Sequence, residues 1–341
     1  MGNFVDKLCT YGVIDSGEPT RRIVSMPKVS VVITNYNYGR FLERRLRSVL
    51  EQTYQDFEVI YLDDCSTDNS EEVLAQFLND PRIRVVRNTV NGGNAFKQLN
   101  KGARLAQGEY VWVAEADDYT ETDFLETMVP VLDAHPSVGL AYCQSLAVDE
   151  HGTVLRSLAE YTDELNPERW KHDYVNDGRD ECRRYLIFKN TIPNTGAVLF
   201  RRKILEEAGY ADETLTLASD HLTYVHLLLI SDIAFVARPL NYFRHHTGTI
   251  RQQSKREGLQ IKEEYQVLAH IRDKLGLSDK EVDVAYTYLV NSRLRKLFRL
   301  RKRIPFHTAV KIYRFARAID PQVNARLMRY FFAGWTRSLS R

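Results

Sequence analysis

The strongest constraint on this chain is an alternation between Lys28 and Tyr119. Continuous runs of β-branched and aromatic residues take turns with stretches of helical spacing. "VSVVIT" opens the series and suits a strand buried on both faces of a parallel sheet. In "YGRFLERRLRSVLEQ", Phe41, Leu42, Leu46, Val49 and Leu50 recur at helical spacing. "FEVIYLDD" is a second buried run, and "STDNSEEVLAQFL" opens with capping residues before a second helix. "IRVVRN" and "AFKQLNKGARLAQ" repeat the pair, and "YVWVAEADD" supplies a fourth strand. This alternation predicts an α/β fold with a mostly parallel sheet flanked by helices.

Beyond residue 120 the pattern loosens. "VGLAYCQSLAV", "TGAVLFRR" and "IAFVARPLNYFR" read as further strands with longer connections. From about residue 255 the chain reads as helical: "LQIKEEYQVLAHIRDKLG" ends on Gly276 as a C-cap, and "SDKEV" restarts a helix with a capping pattern. Pro305 and Pro321 divide the tail. The expected organisation is an extension over residues 1–27, an α/β domain over 28–254 and a helical region over 255–341, with the α/β domain dividing near residue 119.

Charge separates these parts. Residues 281–341 hold 14 Lys and Arg against 3 Asp and Glu, a net of +11. The whole chain carries +2, so the first 280 residues carry −9. An acidic body with a basic helical appendage implies a division of labour. Cys9, Cys65, Cys143 and Cys182 stand far apart with no Cys-x-x-Cys pair, which points away from a disulfide framework or zinc site and towards a reducing compartment. The start of the sequence has no basic-then-apolar signal pattern, and "HLLLI" is far too short to span a bilayer. The expected location is cytoplasmic.

In a parallel sheet, ligands sit at the carboxyl ends of the strands. Three ends here are polar together: "TNYN", then Asp63 and Asp64, then "EADD". One acidic strand end is ordinarily a solvated loop, whereas three in one sheet suggest a site. Gly-x-Gly-x-x-Gly is lacking after the first strand and Gly-x-x-x-x-Gly-Lys-Ser/Thr is lacking throughout, which argues against a dinucleotide-binding dehydrogenase and a P-loop nucleotidase. Asp117 and Asp118 could hold a hard cation whose other ligands are phosphate oxygens and water.

In this order and spacing, "VSVVITNYNYGRFLERRLRSVLEQTYQDFEVIYLDDCSTDNS" and "NGGNAFKQLNKGARLAQGEYVWVAEADDY" resemble the family 2 glycosyltransferases with the GT-A fold. The resemblance runs from about Lys28 to about Arg251. It implies a Rossmann-like GT-A sheet, with a nucleotide half over 28–119 and an acceptor half over 120–254. It also implies inverting transfer from a nucleotide-diphosphate sugar, uridine diphosphate foremost, with Mn²⁺ or Mg²⁺.

By resemblance, Thr34 and Tyr36 line the base pocket and Asp64 hydrogen-bonds the base. Glu115 stands where many members have the first Asp of the DxD motif, nearer the ribose, and Asp117 and Asp118 match the metal and diphosphate positions. Lys97 precedes the motif and is assigned to a donor phosphate. "GYADETLTLASDHLTYVHLLL" resembles the segment bearing the catalytic base, with Asp220 as the match; an Asp after Ser219 is also a natural helix N-cap. "IPNTGAVLFRR" resembles the acceptor-side strand, placing Asn194, Thr195 and Gly196 near the reacting centre. "NYFRHHTGTIRQ" resembles the closing segment, where Arg244 or His246 reaches diphosphate or metal.

"NSRLRKLFRLRKRIPFHTAVKIYRFARAI" interleaves cations with apolar residues. Its plain reading is an amphipathic appendage packed on the domain. Its functional reading is adsorption to an anionic membrane at the inner face, which suits a glycan or lipid-linked glycan acceptor. No nucleic-acid module accompanies the charge. The rivals to transfer are a catalytically silent glycan-binding scaffold and a nucleotide-sugar nucleotidyltransferase. "TNYNYGRF" is not the Gly-rich, Arg-containing loop the latter needs.

Overall fold

The computed structural model describes residues 26–246, 259–294 and 306–329. The alternation folds as its periodicities dictate. β1 (Val29–Asn35), β2 (Phe57–Asp63), β3 (Ile83–Arg87) and β4 (Tyr110–Val113) are joined by α1 (Gly39–Leu50), α2 (Ser70–Ala75) and α3 (Ala95–Leu105). β1 pairs in parallel with β2 and β4, and β2 with β3. Successive residues of β1 serve opposite layers. Val31 and Ile33 pack with Leu42, Leu46 and Trp112, whereas Val32 packs with Leu62, Leu99 and Val113.

The second half continues the sheet with a change of direction. β5 (Tyr119–Thr120), α4 (Phe124–Ala134), β6 (Val138–Val148), β7 (Val154–Ser157), β8 (Tyr174–Asn176) and α5 (Gly178–Glu181) precede β9 (Val198–Arg201). α6 (Arg202–Glu207), α7 (Ser219–Leu228) and β10 (Asp232–Arg244) follow. The strand order is β3-β2-β1-β4-β9-β6-β10-β5, with β9 antiparallel to both β4 and β6 and β10 parallel to β6. The three expected strands are therefore β6, β9 and β10. α4 had no clear signal because Pro130 interrupts its pattern.

α8 (Leu259–Leu275) ends at Gly276, whose φ of +62° is the left-handed cap conformation glycine favours. α9 (Asp279–Leu289) opens with the expected capping box and runs into a π-turn over Val290–Leu294; α10 (Phe306–Ile319) and a helical stretch over 323–329 follow. Tyr265, Leu268, Ile271, Val282, Tyr286, Ile312, Ala316 and Val323 are buried in the same core layer as Val32 and Val111. The described parts of the tail thus pack on the domain, α8 against α7 and the later helices against α8, as the plain reading expects. Arg326 is buried among them and bonds Asp320, Thr287 and Asp283. The most basic run, 295–305, lies outside the described residues, as do residues 1–25.

Candidate active site

The acidic end of β4 does not run out into solvent. Ala114 N–H donates to the Val32 carbonyl at 2.8 Å and Ala116 N–H to that of Thr34 at 3.2 Å, so the chain stays stitched to β1 while it turns. Arg45 fixes the turn from below. Its Nε donates to the Glu115 carbonyl at 2.8 Å, and the side chain is wholly buried. Burial pushes this guanidinium down to about 10, against the pull of Asp118, Asp117 and Glu115. The sequence carries the signal: Arg45 sits on the apolar stripe of α1, between Leu42 and Leu46.

Asp118 is 1% exposed. Its Oδ1 accepts from Arg244 N–H at 2.8 Å, while its Oδ2 has no hydrogen-bond partner among the described residues. Burial, then repulsion from Asp117 and Glu115, raises its carboxyl well above the ordinary range. Asp117 Oδ2 lies 3.1 Å from His246 Nε2, and the buried His246 ring packs edge-on against Tyr38. Arg244 is a strut. Its Nε donates to the Asp117 carbonyl and its Nη1 to those of Asp149 and Glu150, with the guanidinium over Phe41.

Asp64 is buried and committed to the loop before α3. Its Oδ1 accepts from Asn88 Nδ2 at 2.6 Å, Gly92 N at 2.9 Å and Gln98 Nε2 at 2.8 Å. A carboxylate offers about four acceptor sites, so Oδ2, which shares only the Gly92 N–H at 3.1 Å, keeps capacity for a ligand. Thr34 is half-buried at the end of β1 and Tyr36 is exposed. Lys97 is exposed, with Nζ 3.4 Å from the Gly92 carbonyl. Glu115 is half-buried within the turn itself.

Among the described residues no three His, Cys, Asp or Glu side chains form a complete metal cage. The buried, unpartnered Asp118 oxygen and the neighbouring Asp117 nevertheless fit a hard cation that takes most of its ligands from a diphosphate and water.

Asp220 stands in the first turn of α7. The N-cap is Ala218, and the Ser219 hydroxyl donates to the Asp212 carbonyl, so Asp220 is no cap. Its Oδ1 accepts from His221 N–H at 2.7 Å and its Oδ2 from Asn190 Nδ2 at 3.2 Å, which orient both oxygens. Asp220 lines a cavity of about 110 Å³ together with Tyr161, Phe243, His245, Gln260, Glu264 and Arg293. Asn194 is structural here: its Oδ1 accepts from Ala197 N–H and Asn241 Nδ2, and its Nδ2 donates to Ser145. The Thr195 hydroxyl is 3.2 Å from that of Tyr224. A Cβ on Gly196 would come within 3.4 Å of Asp118 Oδ2 and 3.2 Å of Asn241 Oδ1, so this position has no room to spare.

One residue of the site's support had no signal in the sequence. Glu263 of α8 is buried, and its carboxylate accepts the backbone N–H groups of Thr216, Leu217 and Ala218 at 2.7–3.0 Å. A helix of the C-terminal region therefore holds the segment that leads into Asp220.

Residues 30–209 match the model of the family described as glycosyl transferase family 2. Glycosyltransferase GlyG of Streptococcus pneumoniae is 38% identical over 118 residues, which are 33% of this chain and 39% of GlyG. Poly(ribitol-phosphate) beta-N-acetylglucosaminyltransferase TarS of Staphylococcus aureus is 31% identical over 114 residues, 33% of this chain and 20% of TarS. The matched stretches thus span well under two thirds of either relative. Residues 1–349 of TarS, crystallised with UDP-GlcNAc, share the fold with a TM-score of 0.65 at 19% identity, covering 88% of this chain and 83% of that one. The mannosyltransferase PcManGT of Pyrobaculum calidifontis, in complex with GDP-Man and Mn²⁺, aligns with a TM-score of 0.52 at 18% identity over 88% of each chain. With the family model matched over more than half of its length, and with this fold around it, the chain belongs to glycosyl transferase family 2.

Proposed function

We propose that the protein is a metal-dependent, inverting glycosyltransferase. It moves a sugar from a nucleotide-diphosphate donor, uridine diphosphate foremost, to an acceptor hydroxyl in the synthesis of a bacterial surface glycan. The observation that carries this reading is the end of β10. There Arg244 and His246 bond to the acidic turn, while Phe243 and His245 line the cavity of Asp220. The period-two alternation of one strand end joins a carboxylate pair suited to a diphosphate to a carboxylate suited to an acceptor. The nucleotide sugars bound by TarS and PcManGT, and the Mn²⁺ of the latter, support the donor class and the cation.

In this reading Thr34, Tyr36 and Asp64 Oδ2 hold the base, Glu115 faces the ribose and Lys97 meets a donor phosphate. Asp117 and Asp118, with His246 behind Asp117, would hold a Mn²⁺ or Mg²⁺ ion that supplies positive charge at the departing diphosphate. Asp220 takes the proton of the acceptor hydroxyl as that oxygen bonds to the anomeric carbon and the bond to the diphosphate oxygen breaks. A single displacement inverts the anomeric centre. Asn190 and the His221 N–H hold the Asp220 oxygens in place for that transfer. No helix among the described residues is long and apolar enough to cross a membrane. We place adsorption to the inner face of an anionic membrane in residues 295–305, where the tail's cations are densest.

The test is calorimetric titration of UDP, GDP and dTDP with and without Mn²⁺, on the wild type and on Asp118→Ala. Binding of one nucleotide that strengthens with Mn²⁺ and loses this dependence in the variant is the expected result. Failure of all three to bind in either condition would remove the transferase reading and leave a silent scaffold.

A further inference from the structure

α7 and α8 meet along an apolar seam. Leu222 and Val225 of α7 and Val267 and Ile271 of α8 are buried in one core cluster. His226 follows Val225 and His270 precedes Ile271, so both imidazoles stand at the edge of that seam, half-buried. Their Nε2 atoms are 3.1 Å apart. Both histidines fall beyond residue 209, outside the stretch that matches the family model.

We propose that His226 and His270 form a cation site separate from the acidic turn. It takes a borderline-soft divalent ion, Zn²⁺ foremost, and clamps the C-terminal region to the helix that bears Asp220. The site is made of imidazoles, not thiolates, and stands independently of the transferase reading. Spacing is the first support. Two imidazole nitrogens bound to one ion at about 2.0–2.1 Å, at angles from a right angle to the tetrahedral, lie roughly 2.8–3.4 Å apart. The observed separation falls inside that range.

Ring orientation is the second. The centroids are 4.7 Å apart and the ring planes are inclined by 63°. Two imidazoles joined in line by an N–H···N bond would stand further apart, since the distance from centroid to nitrogen adds to the 3.1 Å at both ends. At least one nitrogen is therefore turned off the line between them. That weakens a hydrogen bond, and it is what two ligands facing one ion require.

Charge does not decide the matter: Asp212 and Asp273 favour a cation here and Lys274 opposes it. Ligand chemistry does. Imidazole suits Zn²⁺, Ni²⁺ and Cu²⁺, whereas carboxylates such as Asp117 and Asp118 suit Mn²⁺ or Mg²⁺. No third His, Cys, Asp or Glu among the described residues joins the pair, so water would fill the remaining positions. An ion held here would reinforce the grip that Glu263, on the same helix as His270, has on Thr216, Leu217 and Ala218.

The experiment is calorimetric titration of the untagged full chain with Zn²⁺ and with Mn²⁺, near pH 7.5, where an ordinary imidazole is neutral. It compares the wild type with His226→Gln, His270→Gln and Asp118→Ala. Zn²⁺ should bind the wild type at a site that persists in Asp118→Ala and weakens about tenfold or more in either histidine variant. Mn²⁺ binding should be the same in the histidine variants as in the wild type. Cu²⁺ in place of Zn²⁺ should give a paramagnetic resonance spectrum with nitrogen couplings that the histidine variants lose. Glutamine keeps a polar amide at each position, and a thermal melt without metal checks the fold; if one variant does not fold, the other decides. No Zn²⁺ binding to the wild type, unchanged Zn²⁺ affinity in the folded histidine variants, or loss of Zn²⁺ in Asp118→Ala alone would overturn the proposal. The pair would then be a hydrogen bond between two helices and nothing more.

Discussion

The two halves of the site are assembled in opposite ways. The carboxylates of the nucleotide half, Asp64, Asp117 and Asp118, follow β2 and β4 within 55 residues of chain; Asn88, Gly92 and Gln98 hold Asp64 locally, while the end of β10 reaches in to Asp117 and Asp118. The acceptor half gathers its cavity from β7, the loop before β9, α7, β10, α8 and the π-turn, from Arg156 to Arg293. Local repetition builds a nucleotide edge that many chains can share. An acceptor wall drawn from distant elements can vary without disturbing it.

The largest effect expected from this contrast is a clean separation of binding from chemistry. Asp220→Asn should lower transfer by about 10²–10⁴, with UDP affinity unchanged, because Asp220 bonds to Asn190 and His221 of the acceptor half. Asp118→Ala should remove Mn²⁺-dependent nucleotide binding as well. If Asp220→Asn weakened UDP as strongly as Asp118→Ala does, the two halves would be one site, and the comparison would fail.

The next effect tests whether the C-terminal helices belong to the acceptor half. Glu263→Ala strips three backbone N–H groups of their acceptor. Of these, Ala218 is buried while Thr216 is exposed to water, so a loss of about 1–3 kcal/mol in urea unfolding is expected. Transfer should fall in the folded variant while UDP still binds. A Glu263→Ala protein as stable as wild type would mean that α8 merely rests on the domain.

The same contrast governs how much of the molecule could be read from its sequence. β1, β2 and β4 were legible because burial on both faces leaves an unbroken apolar run, and the half-buried β3 because it follows its partner β2 in the chain. The acidic turn was legible as chemistry for a related reason: three carboxylates at the end of an apolar strand need a structural cause. Arg45 stands on the apolar stripe of α1, four residues after Phe41 and four before Val49, but nothing in "RFLERRLRSVLEQ" says what its guanidinium meets. Glu263 and the wall of Gln260, Glu264 and Arg293 were illegible for a deeper reason. Their meaning depends on where α8 docks, and an ordinary amphipathic helix does not encode its docking partner. His246 was found only through the resemblance; the structure brings it to Asp117.

A third prediction sharpens the acceptor half through pH. His221 follows Asp220, is buried, and its Nε2 is 2.9 Å from the Leu186 carbonyl. Burial pushes its imidazole from 6.5 down to about 4, with the Leu186 bond opposing. The unfolded chain therefore takes up a proton near pH 6.5 and the folded one only near 4. The stability from keeping this ring neutral is full above 6.5 and is lost as pH falls through that window, about 3 kcal/mol in all. His221→Gln, which keeps a donor for Leu186, should flatten urea-unfolding stability between pH 6.5 and 4. An unchanged slope would assign the acid sensitivity to other groups.

The smallest effect belongs to the nucleotide half, in the tight local packing behind Asp64. α3 lies so close to β1 that a Cβ on Gly102 would meet Val32 Cγ1 at 2.2 Å and Leu62 Cδ1 at 3.0 Å. Gly102→Ala should therefore cost about 1–3 kcal/mol of overpacking, in spite of alanine's better helix propensity. Because α3 also carries Gln98 to Asp64, the displaced helix should weaken UDP binding several-fold. At saturating nucleotide-sugar donor it should leave the rate of transfer through Asp220 untouched. A variant that lost both UDP affinity and the saturated rate would show that the sheet transmits strain from one half to the other, and that the halves are separate in assembly but not in mechanics.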